Sequence, residues 1–177
     1  MGLDWTHANS AVWDPDRSLI WFSVRNLDII LAIDYPSGTV VETFGKNELG
    51  GQSLMSHQHA IEIQPDGSIL FFDNGNRANP QVSRTVQFDW NRQLGGITVR
   101  NVLQHNPPTY AFAGGDADML PNGNVLATFS TDERITEFAP NGDVVWDMAL
   151  TGSGNFIYRA EYVPESSIPA DVLPFND

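Results

Sequence analysis

Histidine, arginine and amide side chains occur at three places where the sequence predicts the ends of β-strands. The first place holds His7 and Asn9, the second holds Arg25 and the third holds His59. An imidazole can act as a nucleophile or carry a proton near neutral pH. Guanidinium and amide groups donate hydrogen bonds to anionic oxygens. The set therefore suits transfer of a charged group such as sulfuryl or phosphoryl, which depends mainly on positioning and charge stabilisation.

The composition describes a globular chain with a large negative charge. Its 177 residues are enough for one domain with a core, and 41% hydrophobic and 11% aromatic residues are typical of a folded protein. The net charge of −13 argues against nucleic acid and anionic membrane surfaces, since both are bound through Lys and Arg. An anionic small substrate remains compatible, because a local cationic pocket can override the overall field.

Several classes of site are absent from the sequence. There is no cysteine, which excludes disulfides, thiolate catalysis and cysteine-ligated zinc. Asp73-Asn74-Gly75-Asn76 resembles the start of a calcium loop but lacks the distal glutamate, so we expect a plain turn and no metal. No apolar run is long enough to span a bilayer. Since Met1-Gly2-Leu3 leads directly into the first motif, we also expect no signal peptide within this chain.

Turn signals recur along the whole chain and predict an all-β fold. Proline presets φ, Asp and Asn tolerate left-handed backbone, and Gly adopts positive φ, so each triplet reverses the chain. Short β-branched and aromatic runs separate the turns, and no segment has a convincing helical period. The turn triplets are Asp14-Pro15-Asp16, Pro36-Ser37-Gly38, Pro65-Asp66-Gly67, Pro121-Asn122-Gly123 and Pro140-Asn141-Gly142.

Aligning the turns reveals an internal repeat of roughly 40–55 residues, which is the period of propeller blades. Three blades cannot close a ring, because propellers typically need four to eight blades. We expect the chain to pair with a second copy and form about six blades, or to be part of a longer protein. An open stack of blades is the alternative. The predicted boundaries are one partial β-propeller domain at 1–164, with blades at about 5–45, 53–107 and 111–151, an extra strand at 157–163 and a tail at 165–177.

Six fragments together point to a known family. In chain order they are Asp4-Trp5-Thr6-His7-Ala8-Asn9-Ser10, Ser23-Val24-Arg25-Asn26-Leu27-Asp28, Gln58-His59-Ala60, Phe72-Asp73-Asn74-Gly75, Leu120-Pro121-Asn122-Gly123-Asn124 and Tyr158-Arg159-Ala160. The chain resembles the C-terminal half of the arylsulfate sulfotransferase family. The resemblance implies a six-bladed propeller that passes sulfuryl from an aryl sulfate to a phenol through a sulfohistidine. It implies no nucleotide donor and no cofactor, and a periplasmic or secreted location for longer relatives.

The resemblance also implies roles for individual residues. His59 resembles the nucleophilic histidine of the family. His7, Asn9 and Arg25 resemble its sulfate-binding and acid/base group. In this reading Arg25 holds the sulfuryl oxygens, Asn9 adds a neutral donor, and His7 protonates the leaving phenolate and later deprotonates the acceptor.

Other residues of the predicted channel have supporting or open roles. Tyr158 and Arg159 are expected to bind substrate, because Tyr can stack on a phenol ring and Arg can hold an anion. His57 is expected to support His59. Asp116 and Asp118 flank an inner position, so one of them can face the channel. We interpret them as turn-formers or as carboxylates that hold a histidine.

Two other functions remain open at this stage. The family's N-terminal half is missing from the matched region, and with it a further histidine, so the fold can be a catalytically inactive binding or scaffold module. A six-bladed, calcium-dependent lactonase-like hydrolase would need several converging carboxylates. The inward candidates are rich in histidine instead, which disfavours the hydrolase.

Overall fold

Twelve β-strands and three short 3-10 turns form the regular structure of the described residues. The computed structural model describes residues 4–45, 53–152 and 154–168. The strands are β1 (Ala8–Asp14), β2 (Leu19–Val24), β3 (Ile29–Asp34), β4 (Val40–Phe44), β5 (His59–Ile63), β6 (Ile69–Asp73), β7 (Arg84–Trp90), β8 (Ile97–Leu103), β9 (Asp116–Met119), β10 (Val125–Phe129), β11 (Arg134–Phe138) and β12 (Val144–Ala149). The 3-10 turns span Arg25–Leu27, Ser130–Asp132 and Glu165–Ser167. The all-β prediction is confirmed.

Each run of four consecutive strands forms one antiparallel sheet, in the orders β1-β2-β3-β4, β5-β6-β7-β8 and β9-β10-β11-β12. We call these sheets blades 1, 2 and 3. The predicted Pro-Asp-Gly and Pro-Asn-Gly turns close matching hairpins. Gly67 N–H donates to Gln64 O over 2.8 Å, and Gly123 N–H donates to Leu120 O over 2.9 Å. The same kind of turn therefore joins the first two strands of blade 2 and of blade 3.

Aromatic side chains hold blades 1 and 2 together. Trp21 stacks on Phe44 at 5.6 Å between ring centroids, and Trp90 meets both rings edge-on at 5.4–5.6 Å. Phe88 completes the group at 5.5 Å from Phe44. Trp21, Phe44 and Phe88 are almost fully buried. Burial of such large rings dominates core energetics, so this cluster fixes how the two blades meet.

A smaller cluster joins blade 2 to blade 3. Phe72 meets Phe129 edge-on at 5.3 Å, and both rings are fully buried. Ala117 and Ala127 lie in the same cluster and let the backbones approach closely. The blades consequently stack face to face around their innermost strands, β1, β5 and β9.

The extra strand expected at 157–163 is not formed. These residues are described and carry no strand pairing. They lie against blade 3 through single contacts instead. Ala160 N–H donates to Thr128 Oγ1 over 3.0 Å, and Ser130 Oγ donates to Tyr158 O over 3.2 Å. A strand needs a neighbouring strand to exchange backbone hydrogen bonds, and the described chain supplies no fourth sheet here.

Blades 1 and 3 each carry large exposed apolar side chains on the face that turns away from blade 2. Trp13, Ile20, Ile33 and Val40 are register partners on the face of blade 1 that turns away from blade 2. Trp13 and Val40 are about half exposed, at 49% and 48%. On blade 3, Trp146 is exposed to 47% on the corresponding outer face.

In the part of the chain that the structure describes, no helix has the length and apolar character to cross a membrane. Of the tail predicted at 165–177, residues 165–168 are described and residues 169–177 lie outside the described ranges.

Candidate active site

The three innermost strands line a cleft of about 940 Å³. Side-chain hydrogen bonds between neighbouring inner strands fix its walls. Ile61 N–H donates to Ser10 Oγ over 3.2 Å and joins β5 to β1. Met119 N–H donates to Glu62 Oε2 over 3.0 Å and joins β9 to β5. Residues that are far apart in sequence therefore face one shared space.

All six residues predicted for the site line this cleft: His7, Asn9, Arg25, His59, Tyr158 and Arg159. The structure thus brings the predicted set together, although their chemical roles remain proposals. The loop 113–115 and four acidic residues complete the wall. Within the described ranges, no group of three or more His, Asp or Glu residues is arranged to hold a metal ion.

Local backbone irregularity directs the two histidines. β1 has a register shift between Ala8 and Ser10, and β5 has one between His59 and Ile61. His7 and Ala60, beside these shifts, adopt left-handed backbone with φ of 48°. Such conformations cost free energy in non-glycine residues and concentrate at functional sites. A bulge re-aims the adjacent side chain, and here the strand starts present His7 and His59 to the cleft.

The His59 ring is held by one edge. Its Nδ1 lies 2.7 Å from Asn74 Oδ1 and 3.1 Å from His57 O. Asn74 is fully buried, and its Nδ2 donates to Ala111 O over 2.7 Å and to Gly114 O over 2.8 Å. Sequence reasoning took Asn74 as a turn residue and missed this contact.

His59 is neutral at physiological pH. Burial is the main cause that lowers the pKa of His59 to about 4, and the positive charge of Arg25 lowers it further. The hydrogen bond to Asn74 opposes the shift only in part. A neutral imidazole keeps an unprotonated nitrogen, which is the form that attacks an electrophile.

His7 has different surroundings from His59. Its side chain is exposed to 48%, and its Nδ1 is hydrogen-bonded to the Asp4 carboxylate. The His7 backbone N–H also donates to Asp4 Oδ1 over 3.0 Å. The hydrogen bond from His7 lowers the pKa of Asp4. Asp4 therefore fixes one edge of the ring, a contact that the sequence did not reveal.

Arg25 stands at the cleft mouth in the 3-10 turn that follows β2. Its backbone N–H donates to His7 O over 3.2 Å, which ties the turn to the start of β1. Its guanidinium donates to Asn26 Oδ1 over 2.9 Å and to Phe112 O over 3.3 Å. Burial lowers the pKa of Arg25, but an arginine still stays charged. The site thus has a fixed cation beside a neutral imidazole.

Asn9 lines the cleft and also makes a hydrogen bond to the backbone that precedes β5. Its Nδ2 donates to Gln58 O over 2.7 Å, and Gln58 in turn donates to Ile29 O over 2.8 Å. The Oδ1 of Asn9 is buried and has no partner among the described residues. One amide N–H is already used, so Asn9 is a less free donor than the sequence suggested.

An acidic wall faces the cleft from β5, β9 and the segment after blade 3. It consists of Glu62, Asp116, Asp118 and Glu161. Burial is the main cause that raises the pKa of Asp116 to about 6 and that of Asp118 to about 7. Repulsion from neighbouring carboxylates adds to both shifts. Both Asp116 and Asp118 line the cleft, since i and i+2 share a face of β9.

Tyr158 and Arg159 form the open side of the cleft. The Tyr158 side chain is exposed to 76%, and its ring lies 6.4 Å from that of Phe156. Arg159 Nη2 lies 2.5 Å from Glu161 Oε1, and both side chains are more than half exposed. Tyr158 thus offers an accessible aromatic surface, while Arg159 already has an anionic partner.

His57 lies behind the site and does not line the cleft. Its backbone N–H donates to Asp28 Oδ1 over 2.9 Å, and its Nδ1 lies 3.1 Å from the same oxygen. Arg77 also pairs with Asp28. The contact of His57 with His59 is through the backbone, since His57 O lies 3.1 Å from His59 Nδ1.

Family comparison identifies the chain. Residues 1–159 match the arylsulfotransferase (ASST) family. The chain belongs to this family. The predicted resemblance is therefore confirmed, and it extends over most of the sequence.

Comparisons with other proteins support the fold. The chain is similar to a streptogramin B lyase structure, with 18% identity, 87% of this chain and 44% of that chain covered, and a TM-score of 0.55. A protein of unknown function from Bacteroides caccae gives 17% identity, 83% and 47% coverage, and a TM-score of 0.59. At these identities the likeness shows the fold alone.

Among curated proteins, the chain is similar to protein RecA of Acholeplasma laidlawii (strain PG-8A). The identity is 23% over 129 residues, which covers 72% of this chain and 36% of that protein. The chain therefore spans less than half the length of this protein and of the two structures.

Proposed function

We propose that this arylsulfotransferase-family chain transfers a sulfuryl group from an aryl sulfate to a phenol, with His59 as the nucleophile. The supporting observation is the arrangement at His59: one ring nitrogen is held by Asn74, the ring is neutral, and Arg25 lies in the same cleft. Family membership supports sulfotransferase chemistry in general. The sulfohistidine intermediate is the finer part of the proposal.

In the first step, the Nε2 lone pair of His59 attacks the sulfur of the aryl sulfate. The N–S bond forms while the bond from sulfur to the aryl oxygen breaks, and the electron pair leaves with that oxygen. His7 supplies a proton to the departing phenolate. Arg25 stabilises the negative charge on the sulfuryl oxygens, which is where electrostatic catalysis has most effect.

In the second step, the phenol acceptor occupies the place of the first product. His7, now without its proton, accepts the hydroxyl proton of the acceptor. The phenol oxygen attacks sulfur, the N–S bond breaks, and its electron pair returns to Nε2 of His59. Two steps allow donor and acceptor to use one pocket in turn.

The remaining residues of the cleft suit an aromatic substrate. Tyr158 offers a ring for stacking against the phenol. Arg159 adds a second cation on the same side, although Glu161 partly neutralises it. The acidic wall would repel a sulfate ester, so the sulfuryl group belongs at the end that holds His7, Arg25 and His59.

Ring closure by a second copy of the chain is part of this proposal. The apolar outer faces of blades 1 and 3 need cover, and pairing of identical chains by twofold symmetry is common. Contact of blade 1 in one copy with blade 3 in the other, made twice, gives six blades and leaves no open face. Sedimentation of the chain should give the mass of two copies, and a compact single copy would refute closure by pairing.

The direct test of the chemistry is to trap the intermediate. The protein is incubated with 4-nitrophenyl sulfate without an acceptor, and peptides are examined by mass spectrometry for one added SO3 group. The proposal expects the modification on His59 with release of about one equivalent of 4-nitrophenol, and continued release when an acceptor is added. Modification at another residue would show that this other residue, rather than His59, is the nucleophile. No phenol release with any donor would favour the binding or scaffold module.

A further inference from the structure

The amide of Asn74 has only one reasonable orientation. Its Nδ2 faces two backbone carbonyl oxygens, Ala111 O at 2.7 Å and Gly114 O at 2.8 Å. Exchanging the amide oxygen and nitrogen would place three acceptors against one another in a fully buried position. The side-chain oxygen of Asn74 must therefore face His59.

This orientation determines which nitrogen of His59 carries the proton. The Nδ1 atom has two neighbours, Asn74 Oδ1 at 2.7 Å and His57 O at 3.1 Å, and both are acceptors. An Nδ1 without a proton would lie against two lone pairs. A neutral His59 must then be protonated on Nδ1, which leaves the lone pair on Nε2.

The surrounding turn holds Asn74 in place. Ser83 Oγ donates to Asn74 O over 2.9 Å. The neighbouring Asp73 accepts the backbone N–H groups of Ser56 at 2.7 Å and Gly75 at 3.0 Å. The amide is therefore anchored through both its side chain and its backbone, which suits a group that must hold another side chain in one position.

We infer that Asn74 is a positioning residue for the proposed transfer: its side-chain oxygen fixes the Nδ1–H tautomer of His59, so that Nε2 presents its lone pair to the cleft. A neutral amide does this without adding a negative charge beside the nucleophile. An aspartate in this position would favour the imidazolium, which has no lone pair.

The inference deepens the proposed function, but its main test needs no substrate. Nitrogen-15 NMR distinguishes protonated from unprotonated ring nitrogens, and the chain has only four histidines to assign. The wild-type protein should show His59 as the Nδ1–H tautomer. A wild-type Nε2–H tautomer would overturn the inference without any variant.

Three variants test the contact itself. Asn74→Ala should mobilise the His59 ring and raise the share of the Nε2–H tautomer. Asn74→Asp should raise the pH at which His59 titrates above that of the wild type. Asn76→Ala is the matched control, because Asn76 Nδ2 donates to Phe112 O over 3.0 Å and tethers the same loop without touching His59. It should leave the His59 signals unchanged.

The outcomes separate this inference from the proposed function. His59 signals that are identical in Asn74→Ala and wild type would overturn it, and so would equal changes in Asn76→Ala. With an aryl sulfate and a phenol, Asn74→Ala should lower kcat by about 10- to 100-fold and leave KM within about twofold. If His59 shows the Nδ1–H tautomer but the protein transfers no sulfuryl group, only the proposed function is contradicted. If the protein is active but His59 shows the Nε2–H tautomer, only this inference is contradicted.

Discussion

His7 and His59 line one cleft but have opposite surroundings. His59 is mostly buried, is held by the neutral amide of Asn74 and has its pKa lowered to about 4. His7 is half exposed and is held by the Asp4 carboxylate. An amide selects a tautomer without charging the ring, whereas a carboxylate can stabilise the imidazolium that forms when the ring takes up a proton. The hydrogen-bond partner of each ring therefore suits His59 to the proposed nucleophilic attack and His7 to the proposed proton transfer.

The largest expected effect is the loss of His59. His59→Ala should reduce sulfuryl transfer by at least about 1,000-fold with every donor, because no N–S bond can form. Steady-state rates with several aryl sulfates measure this. His105→Asn is the control, since His105 lies outside the cleft against Thr136 and should keep near wild-type turnover. Full activity of the His59→Ala protein would place the nucleophile elsewhere.

Replacement of Arg25 tests whether its positive charge contributes to turnover. Arg25→Ala should lower kcat by about 100- to 1,000-fold and raise KM for the donor, because a charge-stabilising donor is removed. Arg25→Lys should recover only part of the rate, since lysine lacks the rigid fork. Arg100→Ala is a control, because Arg100 pairs with Asp66 and Asp89 away from the cleft. An unchanged rate for Arg25→Ala would show that Arg25 is structural.

The role of His7 can be separated from that of His59 by the choice of donor. His7→Ala should slow the donor half-reaction by about 100-fold for an aryl sulfate whose phenolate is a poor leaving group. The loss should be much smaller for 4-nitrophenyl sulfate, because nitrophenolate leaves without a proton. Comparing the rate of phenol release in a single turnover without acceptor, across a series of substituted phenyl sulfates, tests this. Equal losses for all donors would show that His7 does not protonate the leaving group.

Tyr158 should have a modest effect on substrate affinity. Tyr158→Ala removes an exposed ring and should raise KM for aryl substrates by about 2- to 10-fold, the amount expected for one aromatic contact. Tyr162→Ala is the matched control, because Tyr162 lines a separate hollow on blade 3. An equal change in both variants would show that Tyr158 acts only through the packing of this segment.

The smallest effect concerns pH. Since the pKa of His59 is about 4, the nucleophile stays mostly neutral down to about pH 5. The donor half-reaction of 4-nitrophenyl sulfate in the His7→Ala background should therefore fall by less than about twofold between pH 7 and pH 5. It should then decline as the pH drops through 4, when His59 takes up a proton. A decline centred near pH 6.5 would show an ordinary, exposed imidazole.

Local signals in the sequence predicted the blades well. The predicted all-β fold is observed as four-stranded antiparallel sheets, because turn triplets and β-branched runs act over a few residues. Residues 157–163, where an extra strand is expected, carry no strand pairing within this chain, because strand formation depends on a distant partner. Local pattern cannot show whether such a partner exists.

The site was predictable only where the chemistry is carried by distinctive residue types. His7, Arg25 and His59 were found because their types and order resemble those of the family. Asn74 was missed because Asp-Asn-Gly is also a common turn. A usable signal was present, since residue 74 follows β6 directly and β6 pairs with the strand that carries His59. Asp4 was not recognised as a ring partner, since that contact depends on the left-handed backbone at His7.

Gly115 in the cleft wall touches the ring of Phe72 so closely that any added side chain would collide with it. Phe72 belongs to the buried aromatic cluster between blades 2 and 3, and Gly115 precedes the acidic residues of β9. A substitution inside that hydrophobic interior can thereby reshape the cleft without altering any residue that lines it. Changes at position 72 should therefore alter the shape of the cleft, although Phe72 itself does not line it.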